Sequence, residues 1–237
     1  YTANDIYANA QPGVGVSDAT GALFKDNRIH EGTNGVIINN GGESTFEGNT
    51  ITGNQSPDVV IMTGAQTTFR RNTIKDGADA GVLIQEGGRG HFESNTISGY
   101  THSGAVIVQN PQSQGTFIDN TISGDANVVV LVHTQADALF ERNTITGGRQ
   151  TAVFVSTQAR PEFKKNRVTG PQSIFVDKSG GGRYEGNTLS PSMVVACDAC
   201  GGIGLIPREK RGFFGKASIE RCAECMEGGR VYRRDNT

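Results

Sequence analysis

Along the first 190 residues the apolar positions fall in short bursts, and the bursts recur with a fixed beat. An aromatic residue is followed three places later by Asn and two places after that by a branched aliphatic. The triplets are Tyr1, Asn4, Ile6; Phe24, Asn27, Ile29; Phe46, Asn49, Ile51; Phe69, Asn72, Ile74; and Phe92, Asn95, Ile97. They continue as Phe117, Asn120, Ile122; Phe140, Asn143, Ile145; Phe163, Asn166, Val168; and Tyr184, Asn187, Leu189. From Asn to Asn the steps are 23, 22, 23, 23, 25, 23, 23 and 21 residues. A period this steady predicts a solenoid whose coils bury their apolar residues against one another. Within one period, Phe69 opens a short strand, Asn72 breaks it and Ile74 starts another. Gly77 and Gly81 then bracket a turn before Val82-Leu83-Ile84. Alternating apolar residues, glycines and β-branched side chains predict strands, and no segment before residue 197 carries a helical period. Three short strands per period predict an all-β fold, a single-stranded parallel β-helix. About nine coils at ~4.8 Å per rung give a rod of roughly 40 Å.

The columns have physical reasons. The aromatics are expected to stack inside the rod. Asn is expected at a tight turn, tolerating left-handed dihedrals while its amide bonds its neighbours in adjacent rungs. Leucine-rich repeats have a similar period, but Val and Ile stand where their Leu framework would be. In the third strand of each coil the flanking residues are expected inward and the middle one outward. Counting down the repeat places Ile37, Val60, Leu83, Val106, Val129, Phe154 and Phe175 outward. Such a stripe exceeds what a soluble monomer exposes. It is the expected binding face for a partner protein or another domain of the parent chain.

Charge changes little. The 237 residues carry a net charge of −2, which gives no bulk electrostatic case for nucleic acid. No run of 18 apolar residues or signal peptide is present, which predicts no membrane segment and an intracellular (cytoplasmic) setting. The chain opens on the aromatic position of a repeat, which predicts further coils or domains upstream. The steady step leaves little room for the long loops that build a catalytic groove. Acids are scattered (Glu47, Glu93 and Glu141 after the aromatic, Asp76, Asp119 and Asp125 elsewhere), and His30, His91, His102 and His133 form no column. No residue is assigned a catalytic role.

Copies such as Phe46-Glu-Gly-Asn49-Thr-Ile51, Phe92-Glu-Ser-Asn95-Thr-Ile97 and Phe140-Glu-Arg-Asn143-Thr-Ile145 resemble the repeat of right-handed parallel β-helix proteins of the pectin-lyase-like superfamily. The resemblance implies a right-handed rod over residues 1–195. It implies either a non-catalytic scaffold or a carbohydrate-active protein that binds or cleaves an acidic polysaccharide. Stacked acids and bases in a groove on one sheet would favour the carbohydrate reading; an uncharged aliphatic face would favour the scaffold.

Residues 196–237 differ in kind. All four cysteines lie there, as Cys197-Asp-Ala-Cys200 and Cys222-Ala-Glu-Cys225. Two C-x-x-C pairs suit one tetrahedral zinc, each pair supplying two thiolates. Two disulfides or free thiols are the alternative. The first pair, with Gly202 and Gly204, resembles the zinc repeat of J-domain chaperones. The second departs from it, because Gly228 and Gly229 fall elsewhere than in that family. The expectation is a small structural zinc module that caps the rod. The tail holds 8 basic against 6 acidic residues, an excess that a four-thiolate zinc of about −2 would cancel.

Overall fold

The structure, a computed structural model, describes residues 1–191 with their side chains, and the backbone of residues 193–196, 205–208, 218–221 and 230–233. Each period supplies one strand to each of three parallel sheets, and the chain winds through them in the order B, C, A. Sheet A runs from Ala22–Lys25 to Arg183–Glu185 in eight strands and carries the aromatic column. Sheet B, nine strands from Asp5–Tyr7 to Thr188–Ser190, carries the aliphatic that follows Asn. Sheet C starts at Val14–Ser17 and ends in Met193–Ala196, against which Arg230–Arg233 pairs antiparallel. Leu205–Arg208 and Ser218–Arg221 form a separate antiparallel pair. The result is an all-β parallel solenoid of about eight turns. The count falls short of nine because Tyr1 meets the next coil mainly through the isolated bridge Thr2–Lys25, without a sheet A strand.

Identical residues stack because parallel rungs repeat in register. Phe46, Phe69, Phe92, Phe117, Phe140 and Phe163 are fully buried, and the column from Tyr1 to Tyr184 stacks at centroid distances of 4.6 to 5.6 Å, near the rung spacing. Opposite them Ile29, Ile51, Ile74, Ile97, Ile122, Ile145 and Val168 are equally dry. The core is therefore a strip two or three side chains wide running the length of the rod.

The Asn column lies at the A-to-B corner. Each amide joins three rungs. Asn72 donates from its backbone N and from Nδ2 to Asn95 Oδ1, at 2.8 and 3.0 Å, and Nδ2 also reaches Phe46 O of the coil before, at 3.0 Å. The same pattern runs from Asn4 to Asn187. The left-handed residue of the turn is not Asn itself, as the sequence suggested, but the one before it. Asp26, Arg71, Ser94, Asp119, Arg142 and Lys165 have φ between 53° and 57°, and Gly48 sits at 66°. Placing the strain one residue earlier turns the Asn side chain inward, where its amide is worth most.

The departures from the 23-residue period are local. Ile74 pairs with Ile97, 23 residues on; Val82 pairs with Val106, 24 on; Phe92 pairs with Phe117, 25 on. One residue has been added on each side of the strand Val106–Gln109. The first addition appears as a register shift between Ile97 and Tyr100.

Candidate functional site

The outer row of sheet C follows the pairing Gly15↔Ile37↔Val60↔Leu83↔Ile107↔Leu131↔Phe154↔Phe175. Five of the seven residues expected there, Ile37, Val60, Leu83, Phe154 and Phe175, occupy it. Val106 and Val129 do not: both are fully buried in the core. For Val106, the added residue before it moved the strand by one place, and a one-place slip exchanges the two faces of a strand. In the next rung the outward place falls at Leu131, two residues past Val129. Ile107 and Leu131 stand outward in their stead. The row is aliphatic and aromatic throughout, and Phe154 stacks on Phe175 at 5.4 Å. Its residues are half-buried by their own neighbours, and Val60 keeps only 6% of its surface. The flanking row includes Asn39, Gln85 and Gln109, with Gln109 Nε2 donating to Gln85 Oε1 at 2.8 Å. These amides bring no charge to the stripe.

Sheet A presents the opposite chemistry. One outer row alternates in sign along Lys25, Glu47, Arg70 and Glu93, and resumes with Glu141, Lys164 and Glu185. Its members are tied in ion pairs, such as Arg71–Glu47 at 2.9 Å, Arg70–Glu93 at 3.1 Å and Lys164–Glu162 at 2.5 Å. The hydrogen bond from Arg71, with Lys25 adding to it, holds the Glu47 carboxyl below the usual carboxylate range. Lys164 does the same to Glu162.

Across the middle of this sheet lies an open furrow of about 410 Å³. Thr45, Thr68, His91 and Thr116 form its floor, and Glu43, Gln66, Arg89 and Gln114 line its side, one of each per rung. Among the described residues Arg89 belongs to none of the ion pairs that occupy the other sheet A cations. Nothing in the sequence singles out Gln66, Arg89 and Gln114, since only pairing register shows that they fall on successive rungs.

A third feature is interior. At the corner between sheets B and C the fully buried Asp58 accepts hydrogen bonds from Asn54 Nδ2 and from the Tyr100 hydroxyl, both at 2.5 Å. The four histidines occupy unlike places, as expected. His30 is buried with Nε2 2.9 Å from Asp5, His91 lies in the furrow, and His133 Nδ1 is 2.8 Å from Thr134 Oγ1. Among the described residues no three His, Cys, Asp or Glu side chains are grouped to hold a metal ion, and no helix is long and apolar enough to cross a membrane. Cys197, Cys200, Cys222 and Cys225 lie outside the described residues.

The family model described as the right handed beta helix region matches residues 1–112 and 104–204. The chain belongs to that family, and the membership gives the rod its hand. No curated protein matches the chain.

Proposed function

We propose that this rod is a non-catalytic interaction module whose outer sheet C face receives an apolar ridge of another polypeptide. The observation that carries the proposal is the uncharged row Ile37 to Phe175, apolar in seven successive rungs and bordered by the amides of Gln85 and Gln109. Seven rungs at ~4.8 Å span about 29 Å, the length of a helix of roughly 19 residues. A polyanion or a sugar chain finds no charge there and few hydrogen-bond partners. The carboxylates of the sheet A face point the same way. A general acid needs a raised pKa, and ion pairing lowers those of Glu47 and Glu162 instead.

A second reading rests on the furrow. Hydroxyls and amides repeating once per rung around the unpaired Arg89 suit an extended, acidic polysaccharide, with the guanidinium meeting one carboxylate.

One experiment separates the two. A photo-crosslinking side chain is placed at position 131 in one protein and at position 68 in another, in cell extract and with acidic oligosaccharides. The first reading expects a discrete polypeptide adduct from position 131 alone, abolished by Phe154→Asp. Saccharide capture at position 68, abolished by Arg89→Ala and untouched by Phe154→Asp, overturns it in favour of the second. Adducts from neither position would sink both.

A further inference from the structure

The corner that holds Asp58 links three successive turns. Asp58 is in the first and Tyr100, 42 residues on, is in the third, so their hydrogen bond passes a whole intervening turn. That turn is thinned where the bond crosses it. A Cβ on Gly77 would lie 2.5 Å from Asp58 Oδ2, and one on Gly81 would lie 2.6 Å from the Tyr100 ring. Tyr100 faces Gly124 in the next strand, and it sits at the register shift that lengthens this coil. The added residue thus does two things: it moves the sheet C strand by one place and it brings a phenol into the interior.

The cluster holds a carboxyl with no cation. Asn54 and Tyr100 approach it as neutral donors. The charged group acting on it from the middle turn is Asp76, another carboxylate, itself 3.3 Å from Lys75 Nζ. From the preceding coil Gly35 packs against the cluster: a Cβ there would lie 3.0 Å from Asn54 Nδ2 and 2.6 Å from the backbone oxygen of Asp58. Ionising Asp58 dehydrates a charge and sets it beside a like one. The donors that favour the ion, the Tyr100 hydroxyl and the side-chain and backbone N–H of Asn54, are neutral, and burial outweighs them in favour of the protonated acid. Tyr100 stays a phenol throughout, since burial and the Asp58 charge both push its pKa far up.

We propose that Asp58, Asn54 and Tyr100 form a proton-operated clasp: protonated Asp58 holds the three turns together, and its ionisation loosens the corner between sheets B and C. Burial supports this by pushing the carboxyl from 3.8 up to about 6, against the opposing hydrogen bonds of Tyr100 and Asn54. Because the folded value lies above the unfolded one, the folded state holds the extra proton between them. The stabilisation is complete below about pH 4 and is lost as pH rises through about 6. Opening of the corner should become about tenfold more frequent between pH 5 and pH 7.5 by this linkage.

Amide hydrogen exchange on the full chain reads this directly, once corrected for the intrinsic pH dependence of exchange. The amides of Asp58, Gly81 and Val82, bonded to Ala80 O, Gly104 O and Ala105 O, are expected to lose about tenfold protection between those pH values. Those of Val153 and Phe163, far along the rod, should hold theirs. Asp58→Asn, which keeps the shape and cannot ionise, should show no such loss. Equal loss at all five amides, no loss at the corner, or the same loss in Asp58→Asn overturns the clasp. Should that variant fail to fold, the carboxyl carbon resonance of Asp58 in the unaltered protein decides. A midpoint near 6 supports the proposal, and one near 4 ends it.

Discussion

A buried side chain that must serve two neighbours has no substitute, and for that reason the Asn column is visible in the sequence. Asn95 illustrates the point. Its Nδ2 bonds Phe69 O and Asn120 Oδ1, both at 3.0 Å, while its own Oδ1 takes the backbone N of Asn72 at 2.8 Å. Asn95→Ala would strand the backbone N–H of Asn72, one N–H of its amide and Phe69 O, while Asn120 Oδ1 keeps the backbone N–H of residue 95, at about 1–3 kcal/mol for each unmet group. We expect a loss of about 3–5 kcal/mol in urea unfolding. The same change at Asn4, whose ladder bonds run to Asn27 alone and which is exposed, should cost about 1 kcal/mol or less. Comparable losses at the two positions would mean that the ladder does not carry the stability assigned to it. Other residue-scale features were silent in the sequence. The left-handed position before Asn is filled by Asp, Arg, Ser, Lys and Gly alike, so its strain leaves no signature. Asp58 and Tyr100 occur once each rather than as columns, and a clasp that skips a turn has no period to find.

At the scale of the strand, the repeat showed which residues pair but not, everywhere, which way they point. Five of the eight steps keep the count of 23; the coil from Asn95 to Asn120 gains two residues, and where they fall is invisible until the ladder is drawn. Val106 and Ile107 are adjacent, both branched and both apolar, so composition offered no arbitration between them. The structure separates them: Val106 is fully buried and Ile107 half-exposed. Ile107→Asp should therefore leave the melting temperature within a few degrees of the parent, a surface-scale change of about 1 kcal/mol or less. Val106→Asp buries a carboxylate in the aliphatic core and should cost about 4 kcal/mol or more, enough to unfold a marginal rod. Circular dichroism melts of the pair would show it, and an Ile107→Asp variant that fails to fold would return Ile107 to the core. The same reasoning explains why the furrow on sheet A went unread. Thr, Gln and Arg are common outward residues, and their meaning depends on their being on neighbouring rungs.

For the molecule as a whole, a solenoid has no closed core, so its last rung must be met by something that ends the sheets. In sheet C the closing strand is Arg230–Arg233, which returns antiparallel onto Met193–Ala196 with Ala196 opposite Arg230. The intervening chain thus leaves and rejoins the rod at one place. Within it Leu205 pairs with Arg221, the residue before Cys222, and Ala196 precedes Cys197. The two C-x-x-C pairs lie outside the described residues, and that they share one zinc is a proposal resting on their spacing. If they do, binding free energy is folding free energy for the cap, and the rod beneath should survive its loss. Native mass spectrometry of protein purified without chelator should find about one zinc per chain. Stripping it should expose the amides of Val194 and Val231 to exchange while those of Phe92 and Ile97 stay protected. Full protection of Val194 after stripping would show that the strand pairing closes the rod without metal. A fall in protection along the whole rod would show instead that cap and coils unfold as one unit, the outcome expected if each rung depends on the next through the same stacked Phe and Asn columns.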